Sequence, residues 1–171
     1  TIAGGGHVCV VTGAGMSAES GIPTFRGTHD SLWSRFDPMR LATAGAWRDD
    51  PALVWGWYRW RMQLVGNAQP NAGHAALAGL AQRVALSLVT QNVDDLHERA
   101  GSTVDAHVHG SLFALRCFAC GRAHDGALDA YVPDRQRIEP MRCTACGDRI
   151  RPGVVWFGEA LPDDAWATAV D

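Results

Sequence analysis

The chain lacks the features that mark a membrane protein or a nucleic-acid-binding protein. No hydrophobic run in the sequence approaches the roughly 20 residues that a helix needs to span a bilayer. The net charge of −3 and the pI near 6.1 predict no general affinity for nucleic acid or for anionic lipid. The start of the chain has neither a basic segment nor a long hydrophobic one, so we expect no signal peptide and a cytoplasmic location. Repeats and low-complexity tracts are also absent from the sequence.

The composition nevertheless predicts a folded domain. A length of 171 residues suits one domain, or one domain with a small insert, and a hydrophobic content of 47% is enough for a core. Four of the five cysteines form two Cys-x-x-Cys pairs, which argues against the disulfide framework of a secreted protein. The fifth, Cys9, stands inside an apolar run and is expected to be a small buried residue.

Hydrophobic patterning predicts an α/β fold built on a parallel sheet. Strands are expected at about 7–12, 84–90, 104–111 and 151–157, and helices at about 51–64, 71–83 and 95–100. The first of these helices carries Trp55, Trp57 and Trp60, which we interpret as core or pocket wall, and its expected start is Asp49-Asp50 before Pro51. In the last helix, His97, Glu98 and Arg99 are expected to form a solvated face or local salt bridges.

A glycine-rich loop, residues 13–27, follows the first predicted strand. A strand that ends in glycines and leads into a small-residue helix presents backbone N–H groups to a phosphate. Two glycines alone also occur at such turns for steric reasons, and Gly13-Ala14-Gly15 is not a complete Gly-x-Gly-x-x-Gly motif. The polar tail of the loop, which carries Phe25 and Arg26, has no evident packing purpose and favours a nucleotide site.

The two Cys-x-x-Cys pairs predict a structural zinc site. Cys117 and Cys120 are separated from Cys143 and Cys146 by 22 residues, and each pair adjoins a glycine. Four thiolates form a closed tetrahedral Zn²⁺ site with no open coordination position. A redox dithiol pair and an iron–sulfur cluster are the alternatives, and a zinc ribbon that binds a partner is a competing function. Acidic residues dilute the arginines of this segment, so no nucleic acid is expected to bind here.

Polar residues also follow the ends of the next two predicted strands. Gln91, Asn92 and Asp94 come directly after the second strand, at the edge where open α/β sheets bind ligands. Helix capping would explain one of these residues but not the cluster. His107 and His109 stand two apart, so both point to one face of a strand, and the residues alone do not decide which of them acts as a base.

Together these motifs resemble the sirtuins, the NAD-dependent protein-lysine deacylases, over essentially the whole chain. The resemblance implies that His109 is the general base and that Asn92 is a second catalytic residue. His107 replaces the acid that is usual in the family, which leaves its role open. The resemblance also implies that NAD is the co-substrate and that it is held by these residues: Gly13, Ala14, Gly15, Ser17, Ala18, Thr24, Phe25, Arg26, Gln91, Asn92, Asp94 and His109.

The resemblance extends to the substrate. Tyr58 and Arg61 share one helix face and resemble the Tyr-x-x-Arg pair of the sirtuin class that removes acidic acyl groups. A guanidinium beside a phenol suits a distal carboxylate, although a solvated arginine on an amphipathic helix is the alternative. A later segment is similar to the family strand that pairs with an acyl-lysine peptide. Its residues are Val154, Val155, Trp156, Phe157 and Gly158.

The reaction implied by the resemblance removes an acyl group from the lysine of a protein or peptide. The acyl oxygen attacks the ribose carbon that bears nicotinamide, nicotinamide leaves, and His109 deprotonates a ribose hydroxyl. The products are free lysine, nicotinamide and O-acyl-ADP-ribose. Acetyl is expected to be accepted, with succinyl or malonyl preferred. A catalytically silent NAD- or ADP-ribose-binding module is the alternative.

The expected architecture is a Rossmann-like, doubly wound parallel sheet with an inserted zinc-ribbon module and a helical small-domain segment. Residues 1–113 and 153–171 are assigned to the NAD-binding domain, about 28–66 to the helical segment, and 114–152 to the zinc module. Sirtuins continue with further strands that hold the adenosine half of NAD, and residues 1–171 do not contain them. A missing C-terminal segment or a partner chain is therefore expected to complete the sheet.

Overall fold

The structure has the predicted α/β architecture. It is a computed structural model that describes residues 6–23, 37–132 and 135–170. The elements, in chain order, are β1 (Val8–Thr12), α1 (Gly15–Ala18), α2 (Pro38–Leu41), α3 (Ala44–Asp49), α4 (Pro51–Asn67), α5 (Ala72–Ala81), β2 (Leu86–Thr90), α6 (Leu96–Arg99), β3 (Ala106–His107), β4 (Gly110–Cys117), β5 (Ile150–Val154) and α7 (Asp163–Val170).

Strands β1, β2 and β3 form a parallel sheet in that order. Thr12 lies opposite Thr90, and Val89 lies opposite Ala106. Successive residues of a strand point to opposite faces, and helices cover both faces of β2. On one face, the Thr12 hydroxyl hydrogen-bonds Thr90 at 2.8 Å and His97 of α6 at 3.0 Å. On the other, Val89 and Ala106 pack against α7. This arrangement confirms the predicted Rossmann-like, doubly wound fold.

One face of β1 is exposed, contrary to the prediction of a buried strand. Cys9 is exposed and Val11 is 62% exposed. Helix α7 packs against β3, so it covers Val89 of β2 but not the neighbouring Val11. Among the described residues nothing else covers this side of β1. The prediction that Cys9 is buried is therefore wrong, because α7, the helix on this side of the sheet, packs against β3 and does not extend over β1.

The main hydrophobic core surrounds α4, which is buried on nearly all sides. The helix starts where predicted, because the Asp50 carboxylate accepts the Leu53 N–H at 3.1 Å and Pro51 occupies the first turn. Each large ring buried here contributes about 2–3 kcal/mol of hydrophobic stabilisation. The aromatic residues of the core are Trp47, Trp55, Trp57, Tyr58 and Trp156. The predicted core role of the α4 tryptophans is confirmed, since Trp55 and Trp57 are buried in this core and Trp60 packs against it.

A tight turn separates the parallel sheet from an antiparallel ribbon formed by β4 and β5. Gly110 has a φ of 70°, and a Cβ at this position would lie 2.1 Å from the carbonyl oxygen of Gly153. Only glycine fits this combination of a left-handed backbone and a close approach. The sequence predicted one strand and turn over 104–111, whereas the chain leaves the sheet after His107 and starts the ribbon at Gly110.

The segment between the two cysteine pairs packs against α4. The Ile138 N–H donates to the Ala52 carbonyl at 3.0 Å. The buried Arg59 guanidinium donates to the backbone carbonyl of Asp129. These contacts join the cysteine-bearing part of the chain to the helix that carries Tyr58 and Arg61.

Candidate active site

The polar segments predicted from the sequence meet at one cleft of about 620 Å³. It opens at the carboxyl ends of β1 and β2, the edge at which α/β sheets bind ligands. The predicted site residues that line it are Ala14, Ser17, Tyr58, Arg61, Gln91, Asn92, Asp94, His109, Val154, Val155, Trp156, Phe157 and Gly158. Gly13, Gly15 and Ala18 form the turn and helix α1 beside it. Thr24, Phe25 and Arg26 lie outside the described residues.

A buried hydrogen-bonded cluster forms the floor of the cleft. The Ser17 hydroxyl donates to the Asp94 carboxylate at 2.9 Å and accepts from the Asn92 side-chain amide at 3.1 Å. Asp94 also accepts the Leu96 N–H at 3.2 Å, so its carboxylate is held from two sides. All three polar side chains are at most 6% exposed. Buried polar groups need hydrogen-bond partners, and these three side chains supply them to one another. The hydroxyl, the amide and the carboxylate are therefore held in fixed positions on the floor of the cleft.

The turn after β1 is anchored from below by Asn71, a residue that the sequence analysis did not assign to the site. Its side-chain amide donates to the Met16 carbonyl at 2.8 Å and to the Ser20 hydroxyl at 3.1 Å. Its carbonyl oxygen caps α5 by accepting from Gly73 at 2.9 Å and from His74 at 3.3 Å. The available signal was an asparagine at the start of a predicted helix, which suggests a cap but not a second contact with a distant loop.

His109 lines the cleft, and its tautomer follows from its contact with the backbone. Nδ1 lies 3.1 Å from the Gln91 carbonyl oxygen. Since a carbonyl oxygen can only accept, Nδ1 carries the proton, and in the neutral ring Nε2 keeps its lone pair. The His109 carbonyl in turn accepts the Val155 N–H at 2.9 Å. This bond links the histidine directly to the segment that forms the opposite wall.

His107 does not line the cleft but supports it from behind. Its Nδ1 lies 3.0 Å from the Asn92 carbonyl oxygen, and its Nε2 lies 2.6 Å from the Glu98 carboxylate. The hydrogen bond to Glu98 raises the pKa of His107. Partial burial is the largest single influence on the pKa of Glu98 and would raise it, but the hydrogen bond from His107, a backbone N–H and the nearby imidazoles together hold the pKa below its ordinary value.

Helix α6 is more deeply integrated than the sequence predicted. His97 is 1% exposed, so the prediction of a solvated face is wrong for this residue. Its ring packs edge-to-face on His74 of α5, with centroids 4.8 Å apart, and burial lowers the pKa of both imidazoles. The predicted local salt bridges are confirmed for Glu98 with His107 and for Arg99 with Asp95 at 3.7 Å. Arg99 also binds the last carbonyls of α4, those of Val65 and Ala68.

Tyr58 and Arg61 lie together on the cleft side of α4. Trp156 donates its indole N–H to the Tyr58 oxygen at 2.9 Å, and burial raises the pKa of Tyr58 to about 12. The phenol is therefore neutral at physiological pH. The Arg61 guanidinium lies 4.9 Å from the Trp57 ring centroid and 5.7 Å from that of Tyr58. Burial lowers the pKa of Arg61, while Tyr58 and Asp94 oppose that shift.

The wall formed by residues 154–158 is braced by an ion pair between buried Arg151 and the partly exposed Glu159, which the sequence analysis missed. Arg151 hydrogen-bonds Glu159 at 2.5 and 3.0 Å, and its guanidinium lies 3.3 Å from the Trp156 ring centroid. Glu159 also accepts the Trp156 N–H at 2.8 Å. Phe157, 50% exposed, donates its N–H to the Ala42 carbonyl at 3.0 Å. Trp156 therefore belongs to the base of the wall, and Phe157 presents an apolar surface outward.

The four cysteines of the two Cys-x-x-Cys pairs converge as a zinc site requires. Their sulfur atoms all lie within 4.8 Å of one another. The Cys117 and Cys143 carbonyls accept N–H groups at 3.1 and 2.9 Å from two glycines with left-handed φ values of 71° and 76°. Backbone N–H groups lower the pKa of the Cys143 thiol to about 7, whereas contacts with the neighbouring cysteines outweigh a backbone N–H and raise the pKa of Cys146 to about 12. The donor set fits one tetrahedral Zn²⁺ ion in a closed, structural site.

Among the described residues, no helix is long and apolar enough to cross a membrane.

The chain is similar to known proteins over most of its length. The sequence profile of the Sir2 family matches residues 13–171. NAD-dependent protein deacylase 1 of Pseudomonas aeruginosa is 59% identical over 167 residues, covering 96% of this chain and 67% of that protein. A solved Sir2 homologue in complex with NAD is 50% identical with a TM-score of 0.81, covering 94% of this chain and 60% of the other.

A more distant structure has a peptide bound. It is Sir2 in complex with the inhibitor EX-527, 2'-O-acetyl-ADP-ribose and a deacetylated p53 peptide, 29% identical with a TM-score of 0.72, covering 96% of this chain and 64% of the other. The present chain thus spans about two thirds of the length of the proteins that it matches.

Proposed function

Because this chain belongs to the Sir2 family, we propose that it removes acyl groups from protein lysine in an NAD-dependent reaction and prefers acidic acyl groups such as succinyl and malonyl. The observation that carries the proposal is the single cleft in which a polar floor, a histidine with an available lone pair and an Arg–Tyr pair face one another. The products would be free lysine, nicotinamide and O-acyl-ADP-ribose.

The polar floor supports binding of the nicotinamide and ribose half of NAD. NAD supplies the ribose carbon that accepts the acyl oxygen and the nicotinamide that leaves. On the protein side, Ala14 and Ser17 bound the cleft after β1, and Gln91, Asn92 and Asp94 bound it after β2. An amide group such as that of nicotinamide both donates and accepts hydrogen bonds, and the asparagine amide and aspartate carboxylate offer both kinds of partner. Of the relatives named above, the Pseudomonas aeruginosa protein is NAD-dependent by name and one solved Sir2 homologue has NAD bound.

His109 is suited to the role of general base. Its Nδ1 hydrogen is engaged by the Gln91 carbonyl, so Nε2 has a lone pair that can take a proton from a ribose hydroxyl. The bond from Val155 to the His109 carbonyl fixes the histidine relative to the wall of residues 154–158. We propose that this wall binds the acyl-lysine peptide as an added strand, which would bring the acyl group and the base to the same cleft.

Tyr58 and Arg61 support the preference for an acidic acyl group. The Tyr58 oxygen accepts from Trp156, and the neutral phenol keeps a hydrogen that it can donate to a carboxylate. Arg61 supplies a cation in a planar fork that matches carboxylate geometry. The Asp94 carboxylate lies near enough to attract Arg61. A succinyl or malonyl carboxylate would provide a second anion for the same guanidinium.

The test compares two peptides that differ only in the acyl group on one lysine, acetyl or succinyl. All 15 basic residues of Lys and Arg in this chain are arginine, so any deacylated lysine must come from the peptide. We expect nicotinamide release with both peptides and a faster reaction with succinyl. His109→Ala should abolish the formation of deacylated lysine from both peptides, because the ribose hydroxyl would lack its base. NAD binding without nicotinamide release by the unaltered protein would indicate a silent binding module instead.

A substitution in the acyl pocket tests the substrate class separately. A hydrogen bond to a charged group contributes about 1.5–3 kcal/mol, so Arg61→Met should reduce desuccinylation by roughly 10- to 100-fold. Deacetylation should change far less, because acetyl has no carboxylate. Equal losses for the two peptides would refute the assignment of Arg61 to the acyl carboxylate while leaving the deacylase proposal intact.

A further inference from the structure

His107 is bonded through both ring nitrogens to groups that can only accept a hydrogen. Nδ1 faces the Asn92 carbonyl at 3.0 Å, and Nε2 faces the Glu98 carboxylate at 2.6 Å. A neutral imidazole has one N–H and can satisfy only one of these acceptors, whereas the imidazolium satisfies both. The contacts therefore require a second proton on the ring.

We infer that His107 is a positioning residue, held as an imidazolium by Glu98, which fixes the Asn92 end of the cleft floor and thereby orders the site for catalysis. The role in catalysis rests on the proposed function, whereas the charge state and the contact with Asn92 do not. His107 touches neither the cleft nor the reacting groups, since it acts through the backbone of Asn92.

The electrostatic surroundings support the charged form. Glu98 of α6 and Asp94 of the cleft floor both favour a positive charge on His107, and buried His97 opposes it. The hydrogen bond that His107 donates to Glu98 is the largest influence and raises the pKa of His107, while partial burial counteracts it. The side chain of His107 is 21% exposed and that of Glu98 is 42% exposed, so both groups can exchange protons with solvent.

Loss of the second proton has a directional consequence. The ring would then have one N–H for two acceptors, the Glu98 carboxylate and the Asn92 backbone carbonyl. A charged acceptor forms the stronger hydrogen bond. Nε2–H would therefore stay with Glu98, and the bond from Nδ1 to the Asn92 carbonyl would be lost. Since the Asn92 side chain donates to Ser17, release of its backbone loosens the floor of the cleft. Catalysis should accordingly decline as the pH rises through the raised pKa of His107.

The neighbouring histidine makes the complementary contact. His109 binds the Gln91 carbonyl and His107 binds the next carbonyl along the chain. Two consecutive carbonyls of one loop are thus held by two histidines with different proton requirements. His109 needs a vacant nitrogen to act as a base, whereas His107 needs both nitrogens protonated.

NMR titration of the purified protein tests the charge state and the contact without relying on activity. The side-chain nitrogens of His107 should both be protonated at neutral pH. The backbone nitrogen of Val93, which is bonded directly to the Asn92 carbonyl carbon, should titrate with the pKa of His107. In Glu98→Gln, which keeps an acceptor but removes the charge, both titrations should move to lower pH. His7→Gln, at an exposed histidine remote from the cleft, is the matched control for a histidine substitution.

Kinetics of nicotinamide release then test the positioning role. His107→Gln should lower kcat/KM roughly tenfold at neutral pH, because one charge-assisted bond to the loop is lost. Its activity should no longer decline at alkaline pH, whereas Glu98→Gln should show that decline at lower pH than the unaltered protein. Thermal melting of each variant separates these effects from a failure to fold.

The outcomes are distinguishable. Two results overturn the inference whether or not the protein is active. One is a His107 ring with a single proton at neutral pH, and the other is a Val93 backbone nitrogen whose chemical shift does not change as His107 titrates. Normal NMR titrations with unchanged pH–rate profiles in both variants overturn the positioning role alone. If the unaltered protein releases no nicotinamide, the proposed function fails, and the NMR titration still decides the charge state and the contact.

Discussion

A single glycine in α4 provides a sharp test of how the cysteine-bearing segment holds the acyl-pocket helix. Gly56 stands two residues before Tyr58, and a Cβ at this position would lie 2.0 Å from the Gln136 carbonyl oxygen and 2.8 Å from its carbon. Side-chain Cβ atoms essentially never approach closer than 3.0 Å, so the helix and the segment would have to separate. The obstacle is backbone, which cannot rotate away as a flexible side chain can.

The expected cost follows from two opposing effects. Overpacking a well-filled interior costs about 1–3 kcal/mol, whereas alanine in place of glycine within a helix gains about 0.5–1 kcal/mol. Because the obstacle is backbone, we expect the upper half of the overpacking range, about 2–3 kcal/mol. Gly56→Ala should therefore destabilise the protein by about 1–2.5 kcal/mol net and lower the Tm by roughly 2–10 °C. Because the shift occurs beside Tyr58, the ratio of desuccinylation to deacetylation should fall as well.

Gly66 supplies the matched control in the same helix. A Cβ at Gly66 meets nothing within 4 Å, so Gly66→Ala gains the helix propensity without the clash. We expect a stabilisation of about 0.5–1 kcal/mol and an unchanged ratio of the two activities. Thermal and urea unfolding, followed by circular dichroism, give the change in stability for Gly56→Ala and for Gly66→Ala. If Gly56→Ala proves as stable as Gly66→Ala, the contact between α4 and the cysteine-bearing segment does not constrain the helix as described.

Two further predictions concern the supports of the site. Metal analysis should find one zinc per chain. Removing it with a chelator should disrupt the β4–β5 ribbon and change the near-UV circular dichroism of the core tryptophans, since metal binding and folding are coupled. Iron with visible absorption would instead indicate an iron–sulfur cluster. Glu159→Gln should cost about 3 kcal/mol at neutral pH because it leaves the buried Arg151 cation unpaired. Glu159 accepts bonds that hold its pKa below the ordinary value, so the stability it contributes is lost as the pH falls through that depressed pKa. Urea unfolding of the two proteins should therefore differ less at acidic pH, and a constant difference would contradict the pairing.

The elements and the site loops could be predicted because their signals are local. Gln91, Asn92 and Asp94 follow a strand, and the carboxyl ends of parallel strands meet at one edge, so their convergence with Ser17 required only the sheet. The zinc site followed from cysteine spacing. The membership of the sirtuin family, predicted from four motifs, is confirmed by the match over residues 13–171.

The features that escaped prediction depend on contacts between distant elements. The burial of His97 depends on the packing of α5 against α6, and the exposure of Cys9 depends on the position of α7. Nothing local in the sequence indicates either contact. The pairing of Arg151 with Glu159 also escaped prediction, because the local sequence of each residue indicates only a surface charge beside an apolar strand.

Several expectations remain predictions. The zinc-module boundaries at 114–152 are one of them, although the ribbon itself runs from Gly110 to Val154. The cytoplasmic location, the acyl preference and the completion of the sheet by a further segment or a partner chain are others. The exposed side of β1 is the place where such a completion would be expected to bury apolar surface.

The choice between His107 and His109 as the base shows what the structure adds to the motif. On spacing alone the two residues are equivalent, and only the family resemblance favoured His109. In the structure both bind consecutive carbonyls through Nδ1, so the difference lies entirely in the environment of Nε2. For His107 that nitrogen is bonded to the Glu98 carboxylate, which demands a proton there and removes the lone pair. His109 instead lines the cleft through a ring whose Nδ1 faces the Gln91 carbonyl, and in its neutral form Nε2 keeps a lone pair. On the proposals made above, Glu98 separates the two roles: by holding His107 charged it keeps that ring bound to the loop, and we propose that His109 is the histidine that accepts a proton from the ribose.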